Sequence, residues 1–430
     1  MTPGGRISAA IEVLGAIERQ HLPATEALRD WGRSHRFAGS GDRAAIGNIV
    51  FDCLRHKAST AWAMSKDTPR ALVIGTLALH SGISKAQLED WFSGEKFAPA
   101  QLTAEEAKAL SDADLDKAPD WVRAELPEWV APFFLANFDE EMVSEGRALA
   151  TRPPLDLRVN TNKAKREKVL KALSRFKASP APLSADGVRI SPPDLFGRTA
   201  NVQADSAYQK GWVEIQDEAS QVAAQLAFAQ PGEQVLDLCA GAGGKTLALA
   251  ARMENKGQIF AFDADRTRLA PIHQRLRRAG VRNVQVREPG EGALDDLEGR
   301  MHRVVVDAPC TGSGIWRRRP DAKWRLTQEA LEKRLGEQRA VLEEASKYVR
   351  PGGFLCYITC SLIQDENEGQ IYSFLEERSE EFELLSAGEV WEELYGADGP
   401  HPWSSDECSV TLTPASTGTD GFFFAVLGRL

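Results

Sequence analysis

The chain has 430 residues, of which 43% are hydrophobic and 27% are charged, and its formal net charge is −10. This length is enough for two or three domains of ordinary globular composition. No apolar run approaches the roughly 18 residues that a membrane-spanning helix needs, so we expect no membrane partner. The six cysteines include no CxxC pair. That excludes a disulfide framework and indicates a reducing, cytoplasmic location.

The first part of the chain predicts helices. An apolar stripe with helical spacing runs through four residues, Ile7, Ile11, Leu14 and Ile17. Residues 69–79 begin with a proline and continue apolar, which is typical of a buried helix. Strand-like alternation is scarce before about residue 153. We therefore predict an all-α domain over residues 1–145.

A short mixed segment follows. Residues 154–161 alternate like a strand, residues 166–173 have helical spacing, and residues 186–190 form another strand-like stretch. This pattern predicts a small α+β subdomain over residues 146–214.

The remainder alternates strands with helices. Five strands are predicted within QVLDLCAG, GQIFAFDAD, NVQVRE, HRVVVDAP and FLCYITCS. Such alternation predicts an α/β domain over residues 215–430, with a parallel sheet covered by helices on both faces. Residues 408–414 and 421–430 predict a closing hairpin at one edge of that sheet.

The stretch CAGAGGKT (239–246) lies between a predicted strand and a predicted helix. A P-loop has the pattern G-x-x-x-x-G-K-[ST], whose first glycine is replaced here by Cys239. A dinucleotide fingerprint G-x-G-x-x-G fits Gly241 and Gly243 but fails at Thr246. Neither pattern fits, and a P-loop hydrolase is kept only as a rival interpretation.

A strand, a tight glycine turn and a helix N-terminus still make a ligand site. The helix end favours a carboxylate. Asp263 ends the next strand 22 residues after Gly241, where an acid accepts hydrogen bonds from a ribose diol. A ribose with a carboxylate and no pyrophosphate describes S-adenosylmethionine. The alternative is a turn that only packs a helix on the sheet.

Two cysteines end predicted strands, Cys310 in DAPC and Cys360 in TCS. Both lie at the carboxyl edge of the predicted parallel sheet, where open α/β folds bind ligands. The other four cysteines have the pattern of apolar filler: Cys53, Cys239, Cys356 and Cys408. A zinc site is disfavoured because no CxxC pair and no nearby histidine accompany either motif.

Four stretches together resemble the Nop/Sun family of RNA cytosine-5 methyltransferases, in particular its bacterial members that modify small-subunit ribosomal RNA. They are QDEAS (216–220), CAGAGGKT, DAPCTGSG (307–314) and TCS (359–361). Residues 42–57 are similar to the NusB-like RNA-binding domain of these members, and residues 150–212 to their RRM-like segment. The resemblance implies a Rossmann-like class I methyltransferase domain and 16S ribosomal RNA as substrate. Transfer RNA, or a non-catalytic ribosome assembly role, remains the alternative.

The resemblance also implies the catalytic residues. In this family the cysteine of the Thr-Cys motif, here Cys360, is the nucleophile, and the cysteine of the Pro-Cys motif, here Cys310, helps release the product. Asp307 is expected to hold the base, and Lys245 to contact the target site or the cofactor. The residues by themselves do not order the two thiols.

The cofactor contacts implied for S-adenosylmethionine come from ten residues: Cys239, Ala240, Gly241, Ala242, Gly243, Gly244, Lys245, Asp263, Glu288 and Asp307. Two positions depart from the family pattern. Ala242 replaces a proline, and Glu288 stands where the family has an aspartate beside the adenine.

Two runs are strongly basic, residues 266–282 and 316–325. A single basic run is more often a solvated helix face, but two runs that flank a candidate site favour an RNA partner. The second run offers four cations for the RNA backbone, Arg317, Arg318, Arg319 and Lys323. Its tryptophans, Trp316 and Trp324, are expected either to stack on RNA or to fill the core. We expect a monomer without a metal ion.

Overall fold

The computed structural model describes residues 1–396 and 402–430. Its α-helices are α1 (Pro3–Gln20), α2 (Ala24–Ser34), α3 (Ser40–Arg55), α4 (Lys57–Met64), α5 (Pro69–Gly75), α6 (Lys85–Trp91), α7 (Ala104–Asp112), α8 (Asp120–Arg123), α9 (Ala131–Phe138), α10 (Met142–Leu149), α11 (Arg166–Ala172), α12 (Ser206–Gln209), α13 (Glu218–Leu226), α14 (Gly244–Arg252), α15 (Arg266–Leu269), α16 (Ile272–Ala279), α17 (Pro320–Arg325), α18 (Gln328–Ser346), α19 (Glu368–Arg378) and α20 (Gly388–Tyr395). Within the described ranges no helix is both long and apolar enough to cross a bilayer.

The strands are β1 (Leu155–Val159), β2 (Ser179–Pro180), β3 (Gly187–Ile190), β4 (Val213–Ile215), β5 (Gln234–Asp237), β6 (Gln258–Phe262), β7 (Val284–Arg287), β8 (Met301–Asp307), β9 (Val349–Thr359), β10 (Phe382–Leu385), β11 (Val410–Leu412) and β12 (Phe422–Arg429).

The chain divides into two compact units whose membership does not follow sequence order. Unit 1 contains Met1–Pro153, Pro192–Thr199 and Trp316–Leu326. Unit 2 contains Pro154–Ser191, Ala200–Ile315 and Thr327–Leu430. The segment with α17 therefore belongs to the helical unit, although it lies between β8 and β9 in the sequence.

Unit 1 is built around the predicted apolar stripe of α1. Ile7 and Leu14 are buried, and Ile11 and Ile17 pack against the same core from its margin. The helix begins where Thr2 Oγ1 accepts a hydrogen bond from Gly5 N at 3.1 Å. That cap satisfies one of the backbone donors left over at a helix start.

Unit 2 contains a small antiparallel sheet in the order β2-β3-β1-β4. Five of its side chains point into a common apolar core: Leu157, Val159, Val188, Ile190 and Val213. Val169 of α11 packs into that core, which confirms the strand–helix–strand pattern predicted for this segment.

The main sheet of unit 2 has the order β10-β12-β9-β8-β5-β6-β7, and β11 pairs with β12. All five predicted parallel strands are present, as β5 to β9. The predicted hairpin forms between β11 and β12 and is added beyond β9, the last of the parallel strands, with β11 on the outer side of β12. Strand β12 lies between β9 and β10 and pairs antiparallel with both. The nearly continuous apolar run of β12 is typical of an interior strand.

Because β5, β6, β8 and β9 run parallel, their carboxyl ends meet at one edge. This arrangement brings together strand ends that lie between Asp237 and Thr359 in the chain and forms the candidate site. The predicted fold class is confirmed: an α/β sheet of Rossmann type, a small α+β part and a helical N-terminal part.

Candidate active site

The glycine turn after β5 depends on two glycines. Gly241 has φ 49° and Gly243 has φ 84°, in the left-handed region that favours glycine. A Cβ atom at Gly243 would also lie 2.5 Å from Cγ1 of Ile272. A Cβ at Gly244, the first residue of α14, would meet nothing within 4 Å. The turn therefore leaves open space beside the N-terminus of a helix.

Asp263 faces this turn from the end of β6. Its Oδ2 accepts a hydrogen bond from Gly241 N at 2.9 Å, and its Oδ1 accepts one from Asp265 N at 2.8 Å. Each carboxylate oxygen can accept a second hydrogen bond. The acid is thus held against the glycine turn with acceptor capacity to spare, which suits a ribose diol.

Asp237, the last residue of β5, is a buried acid that was not predicted from the sequence. Its Oδ2 accepts a hydrogen bond from Thr246 Oγ1 at 2.6 Å, and among the described residues its Oδ1 has no partner. Burial raises the pKa of Asp237 to about 7. The available sequence signal was an acid at a strand end directly before a glycine turn.

Glu288 lies just after β7 and is half exposed. It pairs with Arg266 at 3.4 Å and with His273 at 3.8 Å. The structure therefore places it on the surface beside α15 and α16, and its contact with a cofactor stays a prediction.

Asp307 and Lys245 form an ion pair at the sheet edge. Lys245 Nζ lies 2.6 Å from Asp307 Oδ2, with the lysine side chain only 5% exposed and the aspartate 36% exposed. The ammonium also lies 3.5 Å from Ser220 Oγ and 5.1 Å from the centre of the Phe422 ring. Lys245 is therefore fixed inside the site rather than extended into solvent.

The two strand-end cysteines meet. Their sulfur atoms lie 3.4 Å apart, and both side chains are partly exposed. The hydrogen bond to Cys360, followed by burial, raises the pKa of Cys310 well above its ordinary value. Cys310 is thus a protonated thiol near neutral pH.

The remaining cysteines do not join this pair. Cys53 and Cys356 are buried, and burial raises the pKa of each to about 12. Burial also raises the pKa of Cys239. These three fit the predicted role of apolar filler.

Glu366 links the two cysteine loops and was also missed from the sequence. Its carboxylate accepts hydrogen bonds from Thr311 N at 2.8 Å, from Thr311 Oγ1 at 2.6 Å and from Gln338 Nε2 at 3.0 Å. It also accepts one from Ser361 Oγ. Burial raises its pKa, although these donors oppose the shift. The available signal was the acidic run QDENE, shortly after TCS.

A second set of bonds joins the same loops. Ser313 Oγ lies 2.9 Å from Ser361 Oγ and accepts a hydrogen bond from Leu362 N at 2.7 Å. Gly314 N donates to Cys360 O at 3.0 Å. The separation of the two sulfurs is therefore set by a hydrogen-bonded scaffold on both sides.

Half of the basic run 316–325 is buried within unit 1, which corrects the predicted role of Arg317 and Lys323 on RNA. Arg318 is partly exposed and Arg319 is exposed, so their contact with RNA stays a prediction. Trp316 is 1% exposed and stacks on Phe134 with ring centres 5.7 Å apart. Arg317 and Lys323 are buried, and Trp324 Nε1 donates to Leu54 O at 2.6 Å. Both tryptophans pack within the protein, because residues 316–326 are part of the helical unit.

One cluster among the described residues has metal-ligating side chains, His56, His80 and Glu125 in unit 1. The Glu125 carboxylate accepts from Ala58 N at 3.1 Å and Ser59 N at 3.2 Å, and so caps α4. Burial lowers the pKa of His80 to about 4. These contacts show an internal hydrogen-bond network that stabilises a helix start.

Comparison with known proteins identifies the family. A family model described as 16S rRNA methyltransferase RsmB/F matches residues 224–428, and the ferredoxin-like domain of these proteins matches residues 126–194. The ribosomal RNA small subunit methyltransferase B of Enterobacter sp. (strain 638) is 30% identical over 366 residues, which cover 84% of this chain and 78% of that protein. The chain belongs to the RsmB/F methyltransferase family. It is therefore a methyltransferase of the kind that acts on small-subunit ribosomal RNA, as the resemblance implied.

Solved structures agree with this family assignment. The crystal structure of PH0851 covers 99% of both chains with a TM-score of 0.72 and 26% identity. A methyltransferase homolog protein from Pyrococcus horikoshii covers 72% of this chain and 98% of its own, with a TM-score of 0.60 and 28% identity. The predicted S-adenosylmethionine-dependent methyltransferase fold is confirmed.

Proposed function

We propose that this enzyme methylates carbon 5 of a cytosine in 16S ribosomal RNA through a covalent cysteine adduct. The observation that carries the proposal is the pair of cysteine sulfurs 3.4 Å apart. Asp307 is the last residue of β8, the strand that leads to Cys310, and Lys245 pairs with it. One thiol can supply the nucleophile for covalent attack on a pyrimidine ring, and the neighbouring carboxylate can hold the base.

The residues around the glycine turn fit S-adenosylmethionine. The backbone of residues 239–244 would hold its methionine part, and Asp263 would accept hydrogen bonds from its ribose. Glu288 would lie on the adenine side. When bound, the cofactor would supply a methyl group from a positively charged sulfur, which would keep the electron pair of the broken bond and become a neutral thioether.

Cys360 is the proposed nucleophile. Its thiolate adds to carbon 6 of cytosine, forming a carbon–sulfur bond and moving the electron pair of the 5,6 double bond towards carbon 5. Carbon 5 then becomes enamine-like and can accept the methyl group. Asp307 accepts a hydrogen bond from the amino group of the base. Lys245 fixes the Asp307 carboxylate at 2.6 Å and places a positive charge near the adduct.

Product release uses the second thiol. Loss of the carbon 5 proton to solvent water returns electrons to the ring, the carbon–sulfur bond breaks, and the electron pair leaves on the Cys360 sulfur. The protonated Cys310 thiol, 3.4 Å from that sulfur, donates a hydrogen bond to the departing thiolate. This gives the two cysteines different roles.

We further propose the domain limits 1–145 (NusB-like), 146–214 (RRM-like) and 215–430 (methyltransferase). The enzyme is proposed to act as a cytoplasmic monomer without a metal ion.

The test is a methyl-transfer assay with labelled S-adenosylmethionine and unmodified 16S ribosomal RNA. We expect 5-methylcytosine from the wild type, no product from Cys360→Ala, and a covalent protein–RNA adduct that accumulates with Cys310→Ala. Activity of Cys360→Ala would show that the nucleophile is assigned wrongly. Label in transfer RNA alone would change the substrate, and no labelled cytosine in either RNA would refute the proposed activity.

A further inference from the structure

Two segments of unit 2 concentrate positive charge in a chain whose net charge is −10. Residues 163–177 contain seven lysines and arginines and one acid, and residues 266–282 contain six arginines and no acid. The first segment includes α11 and the second includes α15 and α16. Such segregation is the electrostatic pattern of a polyanion-binding surface.

The fold brings the two segments into contact. Lys163 Nζ donates to Arg278 O at 2.6 Å and to Lys210 O at 3.2 Å. Asn160 Nδ2 donates to Ala279 O at 2.8 Å. The start of the first basic segment therefore lies against the end of α16. The positive charges of the two segments combine on one surface.

Aromatic rings support the cations at this junction. The ammonium groups of Lys168 and Lys210 lie 3.9 Å and 5.1 Å from the centre of the Trp212 ring. The Arg278 guanidinium lies 4.0 Å from the centre of the Tyr208 ring. Cation–π contacts of this kind hold long side chains in place while their charged ends stay accessible.

We define the basic face as Lys163, Lys168, Lys171, Lys210 and Arg277 around Trp212. All five cations are exposed, and Trp212 is half exposed. Lys171 lies one helical turn after Lys168 on α11, so the two project from the same side. The face continues along α16 towards the cofactor turn, since Arg275 Nη1 donates to Ala242 O at 2.8 Å.

The small sheet does not offer the surface that RRM domains use for RNA. An RRM stacks bases on aromatic side chains of its exposed sheet. Here the side of β1 and β4 opposite the apolar core carries Asp156, Arg158 and Glu214, each at most 5% exposed. Asp156 pairs with Arg189 at 2.7 Å and Glu214 with Arg278 at 2.6 Å. Because these buried ion pairs cover this face of the sheet, bases cannot stack on it.

We propose that the basic face binds the phosphate backbone of the substrate RNA and leads it towards the glycine turn. The inference rests on the proposed function for the nature of the partner. Lysines and arginines neutralise phosphates and release counterions, so this binding weakens as salt rises. Trp212 holds two of the lysines rather than reading a base.

The test compares two triple variants of the full chain. Lys168→Ala, Lys171→Ala and Arg277→Ala are combined to remove three cations from the basic face. The control combines Lys256→Ala, Lys333→Ala and Lys347→Ala, three exposed lysines of unit 2 outside the face, at 65%, 73% and 53% exposure. Binding to an unmodified 16S ribosomal RNA transcript is measured between 50 and 200 mM salt, with thermal unfolding as a check on folding.

At low salt we expect the affinity of the basic-face variant for RNA to be lower than that of the wild type by a factor of about ten or more. The slope of log affinity against log salt concentration should be smaller in magnitude by about two to three. Its kcat at saturating RNA should equal that of the wild type, and the control should match the wild type throughout. Wild-type binding with a wild-type slope in the basic-face variant would overturn the inference, as would a loss confined to kcat. Failure of the proposed function is recognised separately, because the wild type itself would then neither bind nor methylate this RNA.

Discussion

The ammonium of Lys245 lies 2.6 Å from the carboxylate of Asp307, and the lysine is almost completely buried. Lys245 lies in the first turn of α14. Here α14 directs it across the end of β5 to the end of β8. The pair fixes the orientation of the acid that is proposed to hold the cytosine.

Replacing Lys245 by methionine keeps the side-chain length and removes the charge. We expect kcat/KM for methyl transfer to fall at least 100-fold, which corresponds to about 2.7 kcal/mol of transition-state stabilisation. Steady-state methylation of 16S ribosomal RNA measures the change. The exposed Lys256→Met serves as the control, and equal activity of the two variants would contradict a role for the ion pair.

Glu366→Gln should disturb the two cysteine loops. The carboxylate accepts hydrogen bonds from Thr311, Gln338 and Ser361, and an amide nitrogen in its place would face donors. We expect kcat to fall about 10- to 100-fold with little change in KM for RNA, because misplaced reacting groups slow the chemical step. Glu368→Gln is the matched control. Glu368 is buried like Glu366, and burial raises the pKa of Glu368 to about 7. A change in KM alone would argue against a positioning role.

Mild oxidation should inactivate the enzyme reversibly. The sulfurs of Cys310 and Cys360 are already in contact at 3.4 Å, so a small movement permits a disulfide with a bond length of about 2.05 Å. We expect activity to be lost with diamide and restored with dithiothreitol, and peptide mapping to identify a 310–360 crosslink. Cys408→Ala should respond like the wild type. Persistent activity after the crosslink has formed would show that neither thiol needs to be free.

Asp237→Asn should stabilise the protein above neutral pH. The pKa of Asp237 is about 7 in the folded state against an ordinary value of 3.8. A raised pKa contributes stability that is present below pH 3.8 and is lost as the pH rises through 7. The free energy of unfolding of the variant should therefore exceed that of the wild type at pH 8 and match it near pH 4. Denaturant unfolding at both pH values checks this, with the exposed Asp365→Asn expected to show no such pH dependence.

Trp316→Ala should destabilise the helical unit. Its ring is 1% exposed and stacks on Phe134, and truncating such a core aromatic costs about 3–5 kcal/mol. Phe37→Ala removes a ring that is 72% exposed and should change the unfolding free energy little. Thermal denaturation of both variants distinguishes a core tryptophan from one available to RNA.

Elements whose pattern is local could be predicted from the order of the amino acids alone. Periodicity of apolar residues predicted the N-terminal helices and the five parallel strands. The positions of Gly241, Asp263, Asp307, Cys310 and Cys360 at strand ends then predicted that they meet at one sheet edge. That prediction succeeds because parallel strands carry their carboxyl ends to the same side whatever the details of packing.

Which side chains touch depends on how distant segments pack together. Thr311 and Glu366 are 55 residues apart in the chain, and no periodicity links them. Strand β12 became an interior strand because β10 pairs with its second edge. Within the segment 316–326, Trp316, Arg317 and Lys323 are buried in the helical unit. Burial of these groups depends on partners distant in sequence, so charge and aromaticity alone could not separate an RNA surface from a packed core.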